Sequence, residues 1–81
     1  MTKDELLATF AQNLRIRRVL MGITQKELAE RAEIAVGSLP AYERAMKSPS
    51  VASAYALAKA LGTTLDKMFA PIAINVEGED L

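Results

Sequence analysis

The 81-residue chain contains neither cysteine nor histidine. Lacking cysteine, it has no disulfide staple and no thiol nucleophile; lacking histidine as well, it has lost the commonest zinc ligands. Both absences fit a reducing compartment. No apolar run approaches the roughly 18 residues of a membrane span. The opening MTKDELL is too acidic and too interrupted for a secretory leader. The expected protein is a cytoplasmic domain with no membrane partner. Catalysis is not expected either. There is no glycine-rich phosphate loop, Ser38 has no candidate base, and the acids show no spacing suited to paired acid–base work or metal ligation. No catalytic residue, metal or cofactor is therefore assigned.

What is present is apolar material, 51% of the residues, enough for one core in a chain near the lower size limit for a stable domain. The net charge is zero, which discourages a nucleic-acid reading until its distribution is considered. Residues 1–70 hold all ten Lys and Arg against seven acids, leaving +3. Glu77, Glu79 and Asp80 supply the remaining negative charge in the last five residues. A mildly basic body carries an acidic tail.

Punctuation divides the chain into short helices. Thr2 with Glu5 forms one capping-box pattern, and Leu7, Phe10, Leu14 and Met21 follow at helical spacing up to Gly22. Thr24 with Glu27 forms a second, flanked by Ile23 and Leu28 as a hydrophobic staple. That helix ends near Glu33. A third segment lies between Ile34 and Met46, with Leu39 and Tyr42 facing inward. Ser50 caps a fourth helix with a stripe of Val51, Ala54, Leu57, Ala58 and Leu61, closed by Gly62. Thr64 caps a fifth, Leu65–Ala70, stopped by Pro71. Residues 71–81 alternate weakly at Ile72, Ile74 and Val76 before turning acidic. They form a separate tail or a short strand, and an exposed strand would call for a partner chain, as in dimerisation.

The run Gly22-Ile23-Thr24-Gln25 with Glu27-Leu28-Ala29, then Tyr42-Glu43-Arg44, then Pro49-Ser50 with Leu57-Ala58-Lys59-Ala60-Leu61-Gly62, resembles the Cro/repressor-type helix-turn-helix family over roughly residues 7–70. The resemblance implies an all-α, compact five-helix, lambda-repressor-like domain over residues 1–70. It also implies double-stranded DNA as partner, with the second helix of the motif in the major groove and the first crossing the backbone. On that pattern Gln25, Arg44, Lys47 and Ser48 are phosphate contacts, with Arg18 as a further candidate. Arg18 and Glu43 match an ion pair that ties helix one to the end of helix three. Arg15 and Arg17 lie on helix one, Arg17 where the family usually has an apolar residue.

The base-facing positions of the same pattern are Val36, Gly37, Ser38 and Ala41, with Pro40 alongside. None carries the Arg, Lys, Asn or Gln that reads bases in bidentate fashion, so base readout is expected to be weak. Two positions that usually hold glycine, at the turn between helices two and three and at the exit of helix three, are Glu33 and Ala45. A non-glycine residue in the left-handed region costs about 1–2 kcal/mol, and an interior helical proline about 3 kcal/mol. The less strained solution is a third helix starting near Pro40, capped by Ser38 or Leu39, with residues 35–38 as a loop or frayed turn. The expected function is a small sequence-specific transcriptional regulator, a repressor acting as a homodimer. The alternative is a protein-interaction module on the same scaffold, such as the antitoxin of a toxin–antitoxin pair.

Overall fold

Side-chain caps start four of the five helices. In the computed structural model, which describes residues 1–72, Thr2 Oγ1 accepts from the Glu5 amide at 3.1 Å and the Glu5 carboxylate accepts from the Thr2 amide at 2.7 Å. That capping box opens α1, Lys3–Met21. Thr24 and Glu27 repeat the arrangement at 3.0 and 2.8 Å to open α2, Gln25–Ala32. Ser50 caps α4, Val51–Ala60, and Thr64 caps α5, Leu65–Met68. The exception is α3, Ser38–Glu43, whose cap residue Gly37 offers no side chain.

Four helix ends share one closure. After α1, α2, α3 and α4 a left-handed residue lets a downstream amide reach back five positions: Ile23 to Arg18, Ile34 to Ala29, Met46 to Ala41 and Thr63 to Ala58. The left-handed residues are Gly22, Glu33, Ala45 and Gly62. Two of the four are not glycine, and Glu33 and Ala45 keep the glycine-type turn at φ 58°. The expectation that the chain avoids this strain is thus only partly met.

The start of α3 departs in detail from the sequence reading. The helix begins at Ser38, two residues before Pro40, and its cap is Gly37 rather than Ser38 or Leu39. Leu39 stays helical despite preceding proline, because its side chain is fully buried in the core and anchors the turn. Pro40 still falls in the first turn, where its missing N–H would have had no helical partner. Residues 36 and 37 form a turn closed by Ser38 to Ala35 and Leu39 to Val36 bonds.

The core gathers Phe10 and Leu14 of α1, Leu28 and Ala29 of α2, Leu39 and Tyr42 of α3, Leu57 and Ala58 of α4, and Met68 of α5. The staple residue Ile23 joins Leu28 in this cluster. Small Ala29 and Ala58 are almost wholly buried, and α2 packs on α4. In turn α1 packs against both α3 and α5. Met21 and Val51 sit outside the core, each at a helix terminus that projects beyond it, with Val51 77% exposed. The last helix is shorter than expected: Phe69 and Ala70 form a turn rather than a continuation. The tail or strand expected over 71–81 lies outside the described residues from 73 onward.

Candidate nucleic-acid interface

At the junction of α1, α2 and α3 one carboxylate collects three hydrogen bonds from two side chains. Arg18 Nε donates to Glu43 Oε2 at 2.6 Å and Arg18 Nη2 donates to Glu43 Oε1 at 3.1 Å, a bidentate pair. Arg18 Nη1 donates to the Ile23 carbonyl at 2.9 Å. All three guanidinium nitrogens are therefore engaged within the protein. The Glu43 carboxylate raises the Arg18 pKa above its ordinary value against the opposing effect of burial. Gln25 Nε2 donates to Glu43 Oε1 at 3.1 Å. The first residue of α2 and the last residue of α3 are thus locked together, with α1 holding both.

Arg44 follows Glu43 directly. It is the terminal cap of α3, its amide bonded back to Pro40, and its side chain is exposed. Lys47 and Ser48 are exposed in the loop to α4. The network brings Gln25 to Glu43, the residue next to Arg44 in the chain. In the segment expected to face bases, Val36 and Gly37 are exposed while Ser38, Pro40 and Ala41 are half-buried. The motif's leading edge is therefore an apolar turn beside a basic loop. Tyr42 packs into the core as expected.

Sequence reasoning missed Asn13. This side chain is fully buried on the inner face of α1, and its Nδ2 donates to the Thr9 carbonyl at 3.0 Å and to the Ala70 carbonyl at 2.9 Å. Its Oδ1 accepts from Arg17 Nε at 3.0 Å, which gives Arg17 a partner on a helix face otherwise suited to an apolar residue. The available signal was a lone amide on the stripe of Phe10 and Leu14. Its partner at residue 70 has no local signature. Arg15 is exposed on the same helix.

Two helices joined by a tight left-handed turn, a buried alanine on the first and an ion pair fixing the second to the scaffold define a helix-turn-helix domain. The family profile described as Helix-turn-helix matches residues 14–68. The chain belongs to this family, in its Cro/repressor type, whose members are DNA-binding regulators. Among solved structures, the restriction-modification controller protein C.AhdI from Aeromonas hydrophila is 28% identical with a TM-score of 0.73, over 78% of this chain and 96% of that one. The clp gene regulator ClgR from Corynebacterium glutamicum is 30% identical, with a TM-score of 0.72 over 78% of this chain and 67% of that one. The hypothetical transcription factor NHTF from Neisseria is 26% identical, with a TM-score of 0.78 over 99% and 90%. No curated protein sequence matches the chain. No helix among the described residues is long and apolar enough to cross a membrane.

Proposed function

We propose that the protein is a cytoplasmic transcriptional repressor that binds double-stranded DNA as a homodimer on a two-fold site, with phosphate contacts supplying most of the affinity. The observation that carries this reading is the three-helix lock of Arg18, Gln25 and Glu43, which the exposed Arg44, Lys47 and Ser48 follow directly in the chain. Gln25, Arg44, Lys47 and Ser48 contact phosphates, the Gln25 amide retaining one N–H and its oxygen for that purpose. Arg18 serves as the tie rather than as a contact. Val36, Gly37, Ser38 and Ala41 face the bases. An apolar surface of this kind discriminates weakly, so the DNA's own shape and deformability contribute much of the selectivity.

A salt titration of duplex binding by the full chain tests the reading. Affinity should be measurable at about 50 mM salt and fall steeply toward 200 mM, as counterion release requires. Absence of binding at the lower salt would transfer the scaffold to the second reading, a protein-interaction module. That reading is favoured by exposed Val19 and Leu20 at the end of α1 and Met46 after α3.

A further inference from the structure

The chain's only sulfur atoms belong to four methionines, since it has no cysteine. Their exposures differ sharply. Met68 is fully buried in the core, Met21 is 42% exposed at the end of α1, and Met46 is 75% exposed. Met1 is exposed as well, at the opposite end of α1 from the lock.

Met46 stands among the proposed phosphate contacts. Arg44 precedes it by two residues, Lys47 and Ser48 follow it, and all three are exposed. Its backbone is held, because the Met46 amide donates to the Ala41 carbonyl at 2.9 Å in the bond that closes α3 after left-handed Ala45. An ordered turn thus carries a side chain that solvent reaches. Single exposed apolar residues are ordinary on protein surfaces, so exposure by itself marks no site. What distinguishes Met46 is its neighbours. Arg44 and Lys47 are three residues apart, which keeps their Cα atoms within about 11 Å of each other. An atom added to the Met46 side chain falls within reach of both cations.

An exposed thioether is open to hydroperoxides. A sulfur lone pair attacks one peroxide oxygen, and the S–O bond forms as the O–O bond breaks. With hydrogen peroxide the second oxygen leaves as hydroxide and takes the proton carried by the first, giving water. Sulfur loses two electrons and the peroxide gains them. The product is a neutral sulfoxide whose oxygen is a strong hydrogen-bond acceptor, where the thioether was a weak one. Beside Arg44 and Lys47 that oxygen competes with phosphate for the same N–H donors.

We propose that Met46 is a peroxide-sensitive modification site whose sulfoxide weakens DNA binding. The effect on DNA rests on the repressor reading above; the ease of oxidation does not. Buried Met68 is spared, so the core survives the modification.

The full chain treated with hydrogen peroxide, then followed by peptide mass spectrometry and by fluorescence anisotropy on duplex DNA, tests this. Met46 should oxidise well before Met68, and more slowly when duplex is present. Affinity should fall at least about threefold near 0.1 M salt, part of the roughly eightfold that one whole phosphate contact adds there. Met46→Leu keeps a similar volume without an oxidisable sulfur, and its affinity should not respond to peroxide although Met1 and Met21 still oxidise. Sulfoxide reductases for both epimers should restore the original affinity. Undiminished binding by chain oxidised at Met46, an equal fall in Met46→Leu, or a fall matched by loss of the thermal unfolding transition overturns the inference and leaves DNA binding standing. A chain that binds no duplex before treatment removes the repressor reading, and this inference with it.

Discussion

Glu33 and Ala45 sit in a backbone conformation that Gly22 and Gly62 adopt without strain. All four close a helix with the same reach-back bond, so the geometry comes from the helix ends and not from the residue. A side chain there costs about 1–2 kcal/mol, and restoring glycine returns roughly half of that after its greater unfolded-state entropy is subtracted. Glu33→Gly and Ala45→Gly should each stabilise the protein by about 0.5–1 kcal/mol, read as a higher urea midpoint at unchanged slope. Destabilisation by either would mean that its side chain compensates for the strain through a contact. Gly37 differs, since its φ is −66° and a Cβ there would meet nothing within 4 Å. The fold makes no demand for glycine at this exposed position.

Helix starts were legible because a cap is a dialogue between neighbours: Thr2 with Glu5, Thr24 with Glu27, Ser50 with Ser53 and Thr64 with Lys67 all act within three residues. The start of α3 was read less well, because Gly37 provides no cap and the burial of Leu39 overrides the bias that Pro40 imposes. Asn13 was not legible at all, its partner lying 57 residues away. Within the candidate interface the Arg18–Glu43 pair was readable through the family resemblance, but the Gln25 bond to the same carboxylate was not. Elements α1 and α3 depend on this carboxylate, whose side chain is 4% exposed against 16% for Arg18. Arg18→Met alone leaves a largely buried carboxylate with only the Gln25 amide, and should cost about 3 kcal/mol. Arg18→Met combined with Glu43→Leu should recover most of that loss, because two buried charges repay their desolvation only in part. A double-mutant cycle by chemical denaturation gives the coupling. Additive losses would show that the two residues stabilise α3 separately.

Over the whole molecule the charge is arranged by region rather than by amount. A body of +3 and an acidic tail cancel in the total, yet Arg44 and Lys47, the proposed phosphate contacts, are both exposed and close in sequence. If these two side chains each neutralise one phosphate per protomer, the slope of log affinity against log salt changes in a countable way. Arg44→Ala or Lys47→Ala should make it shallower by about 0.9 per protomer, and by about 1.8 per dimer. The loss should be nearly uniform across duplex sequences, since a phosphate contact carries no base information. Val36→Ala should do the reverse, leaving the slope unchanged while altering which sequences a random-duplex selection enriches. Fluorescence anisotropy at four or five salt concentrations separates the two behaviours. A slope unmoved by both basic substitutions would remove Arg44 and Lys47 from the interface, even if the protein still bound DNA, and would direct the search to Arg15 and Lys26, exposed on α1 and α2.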